Sequence, residues 1–352
     1  SEDFIKLLNE LNIQYFIDHS LNEDNVIKVM REYGINALLI QWENAAWLKL
    51  AASIIDKSNI RSIALVHELP FIHVPMTKFV KSFKALVILR LLKDALRGNL
   101  YGLTSLRIIL NLDKIVRKMT SLICVGDASK YYYSRYLDID CIAITPGIRL
   151  PEITSQSYGV SNNDFDYDIA FMSARHEKEK GIFDVVNVVR IVKKSLGRSP
   201  KVVVMGKFWF HDVESRFYSM LRKYGLERDF DVLGFVPEDV KYSVLRRSRV
   251  FLYPSRKDVF SISLAEALAM GTPAVVYDLP FTRMYNTSGV VRVRYRDISG
   301  MAREVERLIK LSEQNPYEYL SLRKQVAEYV RKTFTIERTC KELKEAISKA
   351  LK

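Results

Sequence analysis

The sequence predicts an α/β protein of two successive domains, each a parallel sheet covered by helices. Three observations predict it. The chain has 352 residues, more than one hydrophobic core usually serves, so two domains of roughly 150 to 180 residues are expected. Short apolar runs of strand character alternate with helical periodicity along almost the whole chain. The alternation breaks once, at a polar stretch rich in Ser, Asn and Gly.

Helical spacing fits residues 3–11 and 25–33, with strand-like runs at 13–17 and 37–40. A helix over 45–55 precedes the apolar run 63–66, and a strand at 122–125, a helix from Lys130 and a strand at 142–145 follow a long basic stretch. Residues 151–167 read PEITSQSYGVSNNDFDY and have no periodicity, which marks an interdomain linker. The rhythm restarts with strands at 168–172, 202–205, 231–234, 250–252 and 274–276, separated by helices from Gly181, Val213, Val240 and Leu264. This is a βαβ pattern, so the strands are expected to be parallel and the domains Rossmann-like, 1–150 and 168–334, with a final segment 335–352.

Composition narrows the function. The net charge is +13, which calls for an acidic partner. Residues 69–118 carry ten Lys or Arg against only Asp94 and Asp113, a local excess of eight, whereas residues 1–68 carry six bases against ten acids. The basic stretch 75–118 interleaves its charges with Phe79, Phe83 and Leu86, a pattern that fits an amphipathic helix docking on anionic lipid or packing on its own sheet. Its aromatics are not spaced as stacking platforms, so nucleic acid is excluded as the partner. Cys124, Cys141 and Cys340 are scattered and have no metal-ligand spacing, so they read as unpaired thiols in a reducing, cytoplasmic setting. No apolar run is long enough to span a bilayer.

Ligands of open parallel sheets bind at the carboxyl ends of strands, where helix N-termini present amides and a positive dipole end. Two such places carry unusual side chains. The first reads SARHEKEKG and sets Arg175 and Lys180 just ahead of a helix start at Gly181. A guanidinium fork beside a point ammonium suits a diphosphate, although a solvated charged loop has the same composition. The second reads YPSRKDVFSISLAEALAMGTPAVVYD and places Asp258 and Glu266 around a helix start. Amides near Ile262 and Ser263 would meet phosphate or sugar, and Glu266 would suit paired ribose hydroxyls. Ser263-x-x-Glu266 equally fits a capping box, with Glu266 bonding back to the helix start.

The order of these loops resembles the donor-binding domain of retaining glycosyltransferases of the GT-B fold, family 4. Arg175 and Lys180-Gly181 match that family's Arg-x4-Lys-Gly, and Asp258 to Glu266 matches its Glu-x7-Glu, followed by AlaLeuAlaMetGlyThrProAlaVal ending in Val275. LGFVP at 233–237 and VLRRSRVFLYPS at 244–255 fall between them in the family's order. The resemblance implies two Rossmann-like domains facing each other across a cleft. It assigns Arg175 and Lys180 to the donor diphosphate, Glu266 to the ribose and Asp258 to the transferred sugar. Loop amides from Ser261 through Ile262 to Ser263 would meet the sugar-phosphate, and Phe235 and Val236 would lie by the base. Asp258 is one methylene shorter than the usual Glu, and Val259 and Ser261 replace two usual glycines.

The first domain matches more weakly. His67, in IALVHELP at the end of a strand, stands where the family carries a histidine beside the sugar, and CVGDAS at 124–129 and TPGI at 145–148 also fit. The usual opening strand with its glycine-rich loop is missing from the sequence given. The segment FTIERTCKELKEAISKALK is amphipathic, with Ile336, Cys340, Leu343 and Ile347 on one face, and in this fold it crosses back to the first domain. Asp164, Asp166 and Asp168 precede their strand, unlike metal-binding DxD motifs, so no metal and no cofactor is expected beyond the nucleotide-sugar. The implied reaction is hexosyl transfer from a UDP- or GDP-sugar to a hydroxyl of a glycan or polyprenol-linked glycan, at a peripheral membrane surface. A nucleotide-sugar epimerase or a non-catalytic, membrane-bound nucleotide-sugar binding protein are the alternatives.

Overall fold

The computed structural model describes residues 23–32, 37–42, 45–58, 60–66, 118–137, 139–151, 165–256 and 258–351. The helix expected over 3–11, the strand over 13–17, His67, the basic stretch up to residue 117 and most of the linker lie outside them.

The described residues divide into two units, one ending at Pro146 and resumed from Ile336, the other Gly147–Thr335. In the first, strands β1 (Ala37–Trp42), β2 (Arg61–Val66), β3 (Ser121–Val125) and β4 (Ile142–Ile144) lie side by side in sequence order, all parallel. Helices α1 (Glu23–Glu32), α2 (Ala45–Ser58) and α3 (Asp127–Leu137) occupy the connections. Alternate residues Ile63, Leu65, Ile123 and Ile144 form one apolar face, and the last helix of the chain, Ile336–Ala350, covers it with Leu343, Ala346 and Ala350. Glu342 of that helix accepts from the amide of Thr145 at 2.5 Å, and Thr339 Oγ1 donates to the Thr145 carbonyl at 2.8 Å, pinning the helix to the end of β4.

The cysteine reading needs correction. Cys124 and Cys141 are joined by a disulfide, with Cα atoms 5.9 Å apart. Their wide sequence spacing hid this, because β3 pairs with β4 in the register Cys124↔Ala143 and brings Cys141 alongside. Among the described residues Cys340 alone is not in a disulfide. The expectation of a cytoplasmic setting therefore loses the support of unpaired thiols.

The second unit is a six-stranded parallel sheet in the order β10-β9-β8-β5-β6-β7. Strand β5 (Tyr167–His176) leads through α4 (Ile182–Leu196) to β6 (Val202–Phe208), then α5 (His211–Tyr224) and β7 (Phe230–Gly234). The chain then returns by α6 (Glu238–Arg246) to β8 (Ser248–Tyr253) on the other side of β5, and α7 (Ile262–Ala269) leads to β9 (Ala274–Tyr277) and β10 (Val290–Val293). The inner strands are buried on both faces, as their continuous Val/Ile/Phe runs require. Helices α8 (Ile298–Gln314) and α9 (Pro316–Thr333) finish the unit.

The aspartates ahead of β5 serve this scaffold. Asp168 is buried and accepts from Arg198 at 2.7 Å, Arg249 at 3.2 Å and the Lys201 amide at 2.9 Å. Burial alone would raise its carboxyl, but these donors hold it below the ordinary carboxylate range. Asp166 pairs with Arg247 at 2.6 Å. The described residues contain no group of His, Cys, Asp and Glu placed to hold a metal ion.

Candidate functional site

The strand order of the second unit reverses between β5 and β8, the kind of switch point at which open α/β sheets bind ligands. Strand β5 continues to His176, beyond the expected Met172, because its pairing with β6 resumes after a bulge at Arg175↔Lys207. Arg175 therefore stands on the strand and not in the loop. A single 3-10 turn, Lys178–Lys180, and Gly181 then lead into α4. Gly181 has φ +84°, and a Cβ there would lie 2.2 Å from the Pro254 carbonyl oxygen. Glycine is what lets the β5 and β8 loops touch.

Their contact is stitched by several bonds. The Arg256 amide donates to the Glu179 carbonyl at 2.8 Å. The Arg256 guanidinium holds buried Asp184, on the first turn of α4, at 2.7 Å, and Tyr277 OH donates to the same carboxylate at 2.9 Å. Across this junction Lys180 Nζ meets Asp258 Oδ2 at 2.9 Å, and Tyr253 OH donates to that same oxygen at 2.7 Å. Burial would lower the Lys180 ammonium, but Tyr253 and Asp258 carry it above the ordinary lysine range. Lys180 and Asp258, assigned by resemblance to neighbouring parts of one donor, are thus in direct contact.

Helix α7 begins at Ile262, two residues earlier than expected, and its N-cap is Ser261, whose Oγ accepts from the Leu264 amide at 3.1 Å. The capping box on Ser263 does not form. Glu266 turns away from the helix start, and its Oε1 accepts from Lys241 Nζ at 2.7 Å and Tyr242 OH at 3.1 Å, both on α6. Tyr285 OH donates to the Ser261 carbonyl at 3.0 Å and stacks on Phe260, holding the loop from the other side. Ser261 is buried, Ser263 half-buried and Ile262 exposed, so the first turn of α7 opens outward with its amides.

The remaining predicted residues are dispersed along the same edge. Arg175 pairs with Glu177 at 3.4 Å and lies over the Trp209 ring, 5.7 Å from its centroid. Glu177 also acts on the Lys180 ammonium, so the two cations share this carboxylate as a neighbour. Beyond Gly234, at φ +70°, Phe235 is 82% exposed and Val236 half-buried. Next to Arg175, His176 is fully buried between Phe171 and Phe208, and burial depresses its imidazole to about 4, the Gly206 backbone offsetting this only in part. His67 lies outside the described residues. Sequence reasoning missed Lys241, Trp209 and the Asp184–Arg256 pair, because each joins the site across strands or helices distant in the chain, and it passed over Tyr253, only five residues before Asp258.

This doubly wound domain is similar in sequence to one known family. Residues 159–333 match the glycosyl transferases group 1 family. No curated protein matches the chain in sequence. Among solved structures, a glycosyltransferase from Rickettsia africae is similar at TM-score 0.67 and 13% identity, over 99% of this chain and 88% of that one. Sucrose-phosphate synthase from Thermosynechococcus elongatus is similar at 0.68 and 14%, over 96% and 81%. HepE of Anabaena, solved with UDP, is similar at 0.67 and 14%, over 98% and 89%. The chain has the two-domain α/β fold of these proteins, GT-B.

Proposed function

We propose that the protein is a retaining glycosyltransferase that moves a hexosyl group from a UDP- or GDP-sugar to an acceptor hydroxyl of a glycan or polyprenol-linked glycan, without a metal. The observation that carries this reading is the meeting of Lys180 with Asp258 at the β5/β8 switch point of a domain that matches group 1. The solved complexes of HepE with UDP-glucose and of a pneumococcal O-GlcNAc transferase with UDP and GlcNAc support the donor class.

In this reading the diphosphate draws Lys180 and Arg175, and the amides of Ile262 and Ser263 face the same charge. These donors are fixed before reaction, so they stabilise the negative charge that develops as the sugar C1–O bond to the diphosphate breaks. The acceptor oxygen bonds to C1 through an oxocarbenium-like transition state, and its proton passes to the leaving phosphate oxygen. Phosphate capture of Lys180 releases Asp258 to a sugar hydroxyl. Glu266 takes the ribose, and Phe235 and Val236 lie by the base. His67 belongs to this proposal as the residue beside the sugar, the first unit as the acceptor side, and the basic stretch 75–118 as the contact with anionic lipid.

Incubation with UDP- and GDP-sugars and a membrane lipid extract tests the reading by release of free nucleotide. Release with a glycosylated lipid or glycan product supports it. Inversion of the donor sugar without acceptor would make the protein an epimerase, and binding with no turnover of any donor would make it a nucleotide-sugar binding protein.

A further inference from the structure

We propose that Lys241, acting as a unit with Glu266, is a specificity-determining residue that reads the cis-diol of the nucleotide ribose. The inference rests on the nucleotide-sugar reading above, and adds to it a residue that neither the motifs nor the family match singles out.

The placement is ordered along the sheet edge. Phe235 and Val236 close β7, Lys241 and Tyr242 follow in the first turns of α6, and Glu266 sits on α7 just beyond the Ser261 cap. A base, a ribose and a phosphate laid along this edge would meet these groups in that order.

The chemistry of the pair is specific. Glu266 is 8% exposed, and its Oε1 is occupied by the Lys241 ammonium at 2.7 Å and the Tyr242 hydroxyl at 3.1 Å. Among the described residues nothing bonds its Oε2. Lys241 carries three N–H donors. One is given to Glu266, another faces Tyr242, whose ring the ammonium overlies at 4.4 Å, and the third reaches the exposed Glu238 carboxylate only weakly at 3.4 Å, so that donor can be given to a ligand. The ion pair therefore presents one acceptor and one donor side by side. A vicinal diol matches this, one hydroxyl donating to Oε2 and the other accepting from Nζ. A bare carboxylate would also repel a nucleoside diphosphate, and the adjacent ammonium cancels that charge. The ammonium stays charged, since Glu266 outweighs the burial that opposes it. A polar site built for two hydroxyls rejects a ligand lacking one, because a buried donor or acceptor is left unmatched.

Calorimetry with UDP, GDP, their 2′-deoxy and 3′-deoxy forms and inorganic pyrophosphate tests this on the wild-type chain, Lys241→Met and Lys241→Arg. The wild type should prefer the ribonucleotide over either deoxy form by about tenfold or more. Lys241→Met should compress that preference to about twofold and leave pyrophosphate affinity unchanged, whereas Lys241→Arg should keep the preference. Equal wild-type affinities for ribo and deoxy forms overturn the proposal, whether or not any variant folds. So does a Lys241→Met chain that binds every ligand, pyrophosphate included, more weakly by one common factor, since that is the mark of a structural prop. If neither nucleotide nor pyrophosphate binds the wild type, the nucleotide-sugar reading itself fails and the inference falls with it.

Discussion

Two acid–lysine pairs line the carboxyl edge of the second sheet, and they are built alike. At Asp258 one carboxylate oxygen takes Lys180 and Tyr253; at Glu266 one oxygen takes Lys241 and Tyr242. In each case no described residue bonds the second oxygen. The difference lies in where the lysine comes from. Lys180 belongs to the turn that would hold the diphosphate, so in the proposed reaction it exchanges the acid for phosphate. Lys241 comes from α6, and in the proposed recognition its pairing with Glu266 survives ligand binding. One pair is a partner exchange, the other a fixed recognition element. The supports differ accordingly. The first pair depends on the buried Asp184–Arg256 bond and on close contact of two loops at Gly181, while the second depends on two helices packed side by side.

The largest expected effect breaks the exchanging pair. Arg175→Ala with Lys180→Ala should weaken UDP and GDP binding by ~4 kcal/mol, about a thousandfold, because two charge-assisted contacts vanish. Calorimetry reads this, and an unchanged affinity would sink the diphosphate assignment.

Next in size is a stability effect confined to the support of that pair. Asp184→Ala strands the Arg256 guanidinium, which lies between the loops with 22% of its side chain exposed, and should cost ~3 to 4 kcal/mol in denaturant unfolding. A loss under 1 kcal/mol would show that the junction relaxes without the bond.

His176, the last residue of β5, makes the stability of this unit depend on pH. Its folded value, about 4, is below the unfolded value near 6.5, so the fold prefers the neutral ring. Its contribution is complete above pH 6.5 and is lost as pH falls toward 4, in all ~3 kcal/mol. Thermal unfolding at pH 7 and pH 5, compared between wild type and His176→Phe, checks the sign. A wild-type chain no less stable at pH 5 relative to the variant would refute it.

The smallest effect falls between the pairs. Ser261→Ala removes the α7 cap, and should cost ~1 kcal/mol of stability while leaving the calorimetric preference for UDP over its deoxy forms intact. A changed preference would mean that the cap positions Glu266 as well.

The fold class and strand sequence were legible because alternating apolar periodicity and short connections impose βαβ units. Arg175, Lys180, Asp258 and Glu266 were legible because their spacing around two strand ends is local. The capping box on Ser263 stayed open as an alternative at the sequence level, since local rules fit Glu266 to its own helix start and cannot weigh a lysine on α6. The thiol reading failed for the same reason, as only strand pairing brings Cys124 to Cys141. The continuation of β5, which places Arg175 on the strand near Glu177 and Trp209, was likewise not legible from local spacing.

By itself, then, the sequence determined the parallel α/β scaffold and the residue types at each strand end, because both follow from periodicity and short-range geometry. Only the tertiary structure decided which partner each charge takes. Ion pairs form between groups that the strand order brings together, and the reversal between β5 and β8 sets Lys180 against Asp258, 78 residues apart in the chain.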